Sequence, residues 1–518
     1  MRASCLSLLC ALVVVSAGCA YAQQRGRTAT REVSEGRGTI TVRAGDDLQR
    51  AINDARPGDT IYIEAGAVFT GPFTLPRKSG DAFVTIRTLA PDASLPAANQ
   101  RVSPSYAVAM PKLVSPGQGQ PALETEAGAH HYRLLGLEIK PVNSSALVYD
   151  LVRLGGDHQV QKSLSQVANN LVIDRCYIHG DPAGSLKRGI ALNSASTEII
   201  NSYISEFKVR GQEAQAIMGW NGPGPFKIVN NYLEGAGENV MFGGADPGIP
   251  NLVPSDIEIR RNHFSKPVSW RGAFTVKNLF ELKNAQRVTV DSNLFEYNWA
   301  DAQEGVAILF TVRNQDGTAP WSVVQDVTFT NNIVRHSSSG LYILGKDNNQ
   351  PSQQVRKVTV RNNLFEDING GKWGGRGFFM LITESADVVI ENNTILQTAN
   401  ITGAYGQPTT GFVFRNNIVM QNEYGLHGDN RSPGTDALDF YFPRSVFSNN
   451  AIVGGDASQY RGRNMFPVSL KQIKFVNPEA GDYRLSPESP LRRAGAGGAD
   501  IGANLPPQML SEVSSQRR

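Results

Sequence analysis

The sequence predicts an all-β protein folded as a right-handed parallel β-helix solenoid with a short N-terminal capping helix, and three observations carry this prediction. An Asn returns about every thirty residues in one setting, where it follows an alternating apolar strand and precedes a second short one. The chain has 518 residues, more than one compact core usually holds, whereas stacked coils need only their neighbours. A short amphipathic helix precedes the first repeats.

The recurring Asn predicts an internal row of side-chain amides at one corner of each coil. Asn tolerates the left-handed backbone region, and its amide can bond both its own coil and the next. Cys176 and Ser202 occupy weaker copies upstream. We interpret the row as structural, with these members: Asn231, Asn262, Asn293, Asn332, Asn363, Asn393, Asn417 and Asn450.

The first 22 residues have the pattern of an export signal. Arg2 precedes an apolar stretch, and Ala20-Tyr21-Ala22 forms a cleavage site of the small-x-small type. We therefore expect a secreted or periplasmic protein, with a lipid anchor at Cys19 as the alternative. Cleavage after Ala22 would leave Cys176 as the one cysteine of the mature chain, which excludes an intramolecular disulfide.

The remaining chain is predicted to form one domain. Residues 23–38 are polar and suggest a flexible leader, and residues 39–505 form the β-helix. Within it, 39–75 is an N-terminal cap whose helix has Leu48, Ile52 and Ala55 on one face, and 474–505 is a closing segment. Residues 506–518 suggest a loose tail. The cap and the Asn row together resemble the pectate-lyase-like superfamily of right-handed parallel β-helices.

Composition limits the expected partners. The formal net charge is only +3 and no basic block occurs, which gives no support for binding nucleic acid. No apolar run after the signal is long enough to span a membrane. We expect a monomer.

The Asn row also sets the phase of the strands, and hence which side chains face outward. In FELK, Phe280 and Leu282 are expected to face the core, so Glu281 and Lys283 face out. The next coil carries AILFTVR, in which the same parity sends Arg313 outward. Lys283 and Arg313 should therefore end one face on adjacent coils.

Two neighbouring cations on such a face suit an acidic polysaccharide. β-Elimination at a uronic acid removes the proton beside the carboxylate, so the carboxylate charge must be offset and a base must stand near the proton. Repulsion from Arg313 would favour neutral Lys283, which could then act as the base. Arg313 would neutralise charge or donate a proton.

Glu281-Leu282-Lys283-Asn284, with Arg313 on the next coil, resembles polysaccharide lyase family 6, the alginate and chondroitin lyases. The resemblance implies Lys283 as base and Arg313 as acid. The chain departs from that family where a second acidic calcium ligand is expected, because it has Val276-Lys277 there. It also has FTVRNQDG in place of a glycine-rich stretch around the Arg.

Two further functions stay open from the sequence. One is a non-catalytic surface or matrix protein that binds glycans, and the other is a glycoside hydrolase that pairs Glu281 with Asp301 or Glu304. Glu281 is expected to contact substrate in either enzyme. His179-Gly180-Asp181 and His427-Gly428-Asp429 are interpreted as isolated turns.

Calcium and sugar contacts are predicted in the flanking loops. No cofactor is required by the sequence, but Asp301, Glu304 and Asp316 offer hard oxygen ligands for calcium. Trp299 and Trp321 flank the Lys283 and Arg313 coils and are expected to stack on sugar rings. The predicted partner is a polysaccharide.

Overall fold

The computed structural model describes residues 29–34, 37–507 and 509. Within these ranges the chain winds through three sheets, parallel except for the first strand of the first sheet, which we call sheets 1, 2 and 3 in the order in which each coil enters them. Each coil runs from sheet 1 past the Asn corner into sheet 2, then into sheet 3, and on to the next coil. The predicted all-β, right-handed parallel β-helix is confirmed.

Sheet 1 contains Thr30–Ser34, Arg37–Val42, Thr60–Ile63, Val84–Thr88, His130–Leu135, Asn169–Asp174, Ala195–Ile200, Phe226–Val229, Ser255–Arg260, Ala285–Asp291, Val324–Thr330, Arg356–Arg361, Ala386–Glu391, Val413–Arg415 and Val446–Ser448. Sheet 2 contains Val68–Thr70, Lys112–Ser115, Glu138–Pro141, Tyr177–His179, Tyr203–Phe207, Tyr232–Gly235, His263–Ser265, Leu294–Asn298, Ile333–Ser337, Leu364–Ile368, Thr394–Gln397, Ile418–Met420 and Ala451–Val453. Sheet 3 contains Phe73–Leu75, Leu123–Thr125, Asp150–Leu154, Arg188–Leu192, Gln215–Gly219, Glu238–Phe242, Asn278–Leu282, Val306–Thr311, Ser339–Leu344, Met380–Thr383, Thr402–Ala404 and Leu426–Gly428.

Short helices and one hairpin complete the described part of the chain. The α-helices are Leu48–Asp54, Gly370–Trp373 and Thr435–Tyr441. The 3-10 helices are Asp92–Ser94, Pro104–Ala109, Leu164–Gln166, Val268–Trp270, Ala457–Gln459, Leu470–Ile473, Pro478–Ala480 and Ala496–Gly498. The hairpin pairs Phe475–Asn477 with Asp482–Leu485. No helix in the described ranges is long and apolar enough to cross a lipid bilayer.

The Asn row forms a continuous hydrogen-bonded ladder. Asn332 is typical: its Oδ1 accepts from Asn293 N at 2.9 Å and from Asn293 Nδ2 at 3.0 Å. Its Nδ2 donates to Val290 O at 3.0 Å and to Asn363 Oδ1 at 3.1 Å. All eight predicted ladder asparagines are buried. At the far end the ladder continues to Asn464, which the sequence did not suggest.

One detail of the predicted corner is wrong. The left-handed residue is the one before the ladder Asn, as at Asn331 with φ 56° and Ser292 with φ 57°. The ladder asparagines adopt ordinary backbone angles, so only their amide chemistry explains them. The need for a left-handed residue just before explains why so many copies read Asn-Asn, since Asn tolerates that region better than most residues.

The predicted capping helix covers the N-terminal coil. Asp47 caps Leu48–Asp54 by accepting from Arg50 N at 2.9 Å. Leu48 and Ile52 are buried against the first coils, which protects core that would otherwise meet water.

The two ends of the domain differ from the sequence-based boundaries. Strand Thr30–Ser34, within the predicted leader, pairs antiparallel with Arg37–Val42. The predicted closing segment lies along the side of the solenoid, where Ile501 and Leu505 cover the outer face of sheet 2. Met509, in the predicted tail, packs beside Leu505. The predicted export signal and Cys19 lie outside the described residues.

Candidate functional site

The outer face of sheet 3 carries a cleft of about 610 Å³ across the coils from Glu281 to Asp429. Its floor is apolar, with Leu309, Tyr342 and Leu381 in register on three successive strands. The same row continues to Glu281 at one end and, through Gly403, to His427 at the other. The lining side chains that bear on its chemistry are Glu281, Lys283, Glu304, Arg313, Arg376, Phe378, Tyr405, His427 and Asp429.

The predicted alternation of strand residues places the cations in this cleft. The inward members Phe280, Leu282, Ile308, Phe310 and Val312 are fully buried. Lys283 and Arg313 point outward and line the cleft together. The two strand ends are joined by the Arg313 N–H, which donates to the Lys283 carbonyl at 2.9 Å.

The electrostatic environment of Lys283 contradicts its predicted neutral state. Burial lowers the pKa of Lys283, but Glu281, Glu238 and Glu213 outweigh burial and the repulsion from Arg313, so the pKa lies above its ordinary value. The nearest carboxylate oxygen, Glu281 Oε1, is 3.6 Å from Lys283 Nζ. Lys283 is therefore an ammonium at neutral pH in this structure.

The other two cations of the cleft are also ion-paired. Arg313 Nη1 donates to Asp347 Oδ1 at 2.7 Å, and the Asp347 side chain is 1% exposed. Arg376 Nη2 lies 3.1 Å from Glu304 Oε2 at the rim. Such pairs present donors and acceptors side by side, which suits the hydroxyl and carboxylate groups of sugars.

A cluster of buried polar groups behind Lys283 was missed by the sequence analysis. Gln215, Glu238 and Asn278 occupy one register position on successive strands of sheet 3. Each is at most 1% exposed. Gln215 Nε2 donates to Glu238 Oε2 at 2.8 Å, but Gln215 Oε1, Glu238 Oε1 and Asn278 Oδ1 have no hydrogen-bond partner. The available signal was a polar residue opening each of QAIMG, ENVMF and NLFEL.

Lys277 and Glu213 complete this cluster. Lys277 Nζ forms an ion pair with Glu213 and lies 3.9 Å from Glu238 Oε1. The cluster therefore joins three carboxylates to two lysines, counting Glu281 and Lys283. Burial, followed by the charges of Glu213 and Glu281, raises the pKa of Glu238 to about 7.

The tryptophan prediction is contradicted at Trp299. Its side chain is 1% exposed and packs with Trp270 and Trp373 in a separate apolar cluster. Trp321 donates its Nε1 hydrogen to Leu252 O at 3.1 Å and does not line the cleft. Loop packing buries Trp299, and the partly buried Trp321 lies outside the cleft, so neither offers a stacking face to a ligand in the cleft.

Tyr342 and Tyr405 supply the aromatic surface instead. Their hydroxyls are hydrogen-bonded to each other across two coils, and burial raises the pKa of both. His427 and Asp429, from a turn interpreted as isolated, line the far end of the cleft.

The three predicted calcium ligands are not brought together. Asp301 Oδ2 accepts from Val276 N at 2.9 Å, and Glu304 pairs with Arg376. The Asp316 N–H donates to Asp246 Oδ2 on a different loop. No group of three or more His, Cys, Asp or Glu in the described ranges is arranged to hold a metal ion. The predicted set therefore does not fit a calcium ion.

Comparison with known proteins matches residues 307–466 to a family model described as a right-handed β-helix region. This region contains the ladder from Asn332 to Asn464, which agrees with the observed coils. The chain is thus a right-handed parallel β-helix protein. No curated protein gives a significant match.

Several solved structures are similar in architecture. An alginate lyase from Paenibacillus is 16% identical, with a TM-score of 0.36, over 64% of this chain and 95% of the other. An alginate lyase of polysaccharide lyase family 6 is 12% identical, with a TM-score of 0.49, over 90% and 57% of the two chains. An α-1,3-glucanase from Streptomyces thermodiastaticus is 13% identical, with a TM-score of 0.49, over 86% and 72%. At these values the similarities carry no information on activity.

Proposed function

We propose that the protein binds a polysaccharide in the sheet 3 cleft and cleaves it at a uronic acid by β-elimination. The observation that carries this proposal is that Lys283 and Arg313 lie on adjacent coils and line one cleft with an apolar, tyrosine-bearing floor. The apolar floor suits the less polar face of a sugar ring, and the paired charges suit its hydroxyl groups. The proposed place of action is outside the cytoplasm, as the signal-like first 22 residues suggest.

Each cleft residue then has a distinct role. Arg313 offsets the uronate carboxylate, because its charge persists at every accessible pH. Lys283 Nζ takes the proton beside the carboxylate, the electron pair left behind forms a carbon–carbon double bond, and the glycosidic carbon–oxygen bond breaks. The departing oxygen takes a proton from water. Tyr342 positions the neighbouring sugar.

The raised pKa of Lys283 gives this reaction a definite pH dependence. The ammonium form has no lone pair with which to take a proton, so the rate should rise with pH well beyond neutrality. An enzyme that used a carboxylate as its base would instead reach its full rate at or below neutral pH.

The test is to incubate the purified mature protein with a panel of uronic-acid polymers between pH 6 and pH 10. Product is followed by the ultraviolet absorbance of the unsaturated sugar, and chain length by size-exclusion chromatography. Lys283→Ala and Arg313→Ala should each abolish the absorbance. Lys346→Ala is the control, because Lys346 is a half-exposed lysine on the next coil that pairs with Glu384 and does not line the cleft.

The outcomes separate the three functions. Shorter polymer without the absorbance change would indicate hydrolysis, in which Glu281 and Glu304, both in the cleft, are the acids to replace. Binding without shortening would indicate a glycan-binding protein. Either result refutes elimination.

A further inference from the structure

In the row formed by Gln215, Glu238 and Asn278, one side-chain oxygen of each residue has no hydrogen-bond donor. Each unpartnered oxygen is shielded from water. A hydrogen-bonding group without a partner is costly when it is buried. The Gln215 amide donates one N–H to Glu238 Oε2, and the Asn278 amide donates to Glu281 Oε2 at 3.2 Å. No side chain of the row therefore donates to Glu238 Oε1 while Glu238 is ionised.

Neighbouring charges meet Glu238 from every side. Glu213 and Lys277 lie toward the preceding loop, and Glu281 and Lys283 lie on the next coil. Lys266 approaches from the corner between sheets 2 and 3, where its amino group donates to Asn239 Oδ1 at 2.8 Å and burial lowers its pKa to about 7. Lys277 is the nearest cation outside this corner, but its 3.9 Å separation from Glu238 Oε1 exceeds a hydrogen bond.

We propose that Glu238 is held as the neutral acid, that its Oε1–H donates to Gln215 or Asn278, and that its ionisation controls how tightly Lys283 keeps its proton. The second half of this proposal rests on the function proposed above. Glu238 touches no substrate in this arrangement, because it is fully buried and does not line the cleft. It is a positioning residue that acts through Lys283.

The coupling follows from the charges. Neutral Glu238 adds no attraction for the Lys283 proton, whereas ionised Glu238 adds one, as the causes of the raised Lys283 pKa show. As pH rises and Glu238 loses its proton, Lys283 is held more firmly as the ammonium. A smaller fraction of Lys283 would thus be neutral at the alkaline pH at which it must act.

Glu238→Gln tests the proposal because the amide supplies the missing N–H permanently and cannot ionise. Glu234→Gln is the matched control: Glu234 is also buried and its pKa is also raised to about 7, chiefly by burial, but it lies on sheet 2. Its carboxylate already accepts from Tyr232 and from the Glu206 N–H. Neither Glu234 nor Lys283 is among the main causes of the other's shifted pKa.

The first readout is the melting temperature of each protein from pH 5 to pH 9, without polymer. The folded pKa of Glu238 is raised, so its stabilising contribution is complete below the ordinary value near 4.5 and is lost as pH rises through about 7. Glu238→Gln should therefore gain stability relative to the wild type as pH rises from 5 to about 7, and the difference should level off above pH 7. A difference that stays constant over this range would overturn the proposal.

A second measurement covers failure of the variant to fold. In the folded Glu234→Gln protein, the infrared band of a protonated carboxylic acid should be present at pH 5 and lost near pH 7. Its absence at pH 5 overturns the proposal. So would a calcium-dependent rise in melting temperature seen in the wild type and absent in Glu238→Gln, since a cation would then fill the row.

The activity readout separates this proposal from the proposed function. Glu238→Gln should shift the alkaline limb of the elimination rate to lower pH, because Lys283 then loses an attraction that holds its proton. Glu234→Gln should not shift it. An unmoved limb in Glu238→Gln overturns the coupling to Lys283, whereas no elimination by the wild type at any pH overturns the proposed function and leaves the melting and infrared tests intact.

Discussion

Replacing Asn332 with Ala should destabilise the solenoid more than any nearby surface change. The substitution removes four hydrogen bonds at 2.9 to 3.1 Å and leaves the Asn293 N–H and the Val290 carbonyl without this partner inside the stack. At about 1 kcal/mol for each bond, the loss is roughly 4 kcal/mol. An unfolding entropy of about 2.1 cal/mol/K per residue over roughly 470 residues converts this to a melting temperature about 4 °C lower.

The assay is differential scanning calorimetry of Asn332→Ala, with Asn331→Gly as the control variant. Asn331 is the adjacent amide outside the core, with side-chain hydrogen bonds to Asp291 and Asn362. Gly accepts its φ of 56°, so this control tests the loss of two peripheral bonds without backbone strain. We expect a fall of about 1 °C. Equal falls for the two variants would refute the view that the buried ladder carries the stability.

Other predictions concern single buried groups. Trp299→Phe should lower the melting temperature without changing polymer affinity measured by calorimetric titration, because Trp299 packs away from the cleft. A loss of affinity would show that Trp299 contributes to binding. Burial raises the pKa of the Cys176 thiol to about 12, so a thiol reagent should modify it only after denaturation, and rapid native labelling would contradict its placement. Burial raises the Glu296 pKa, but hydrogen bonds from His263 and Arg335 outweigh this and lower it overall. Its contribution to stability is therefore present above its unfolded pKa and lost as pH falls through the folded one, and Glu296→Gln should flatten the acid limb of melting temperature against pH.

Much of the fold could be predicted because it is a local, repeated pattern. Strand parity depends on two-residue alternation, and the ladder depends on one residue in each coil. Outward placement of Lys283 and Arg313 followed directly from that phase. The side location of Leu505 could not be predicted, because a closing strand leaves the same apolar pattern whether it caps an end or lies along a sheet.

The sequence alone determined the coil, its corners and the side of the sheet on which each strand residue lies, since these follow from near-neighbour chemistry. Only the tertiary structure decided the charge of Lys283, because the carboxylates of Glu213 and Glu238, from separate segments of the chain, add to that of Glu281 two residues away. Burial of Trp299 was likewise decided by packing between loops of different coils. A repeat specifies its own geometry, whereas the pKa values of a site depend on all the charged groups that neighbouring coils and loops place near it.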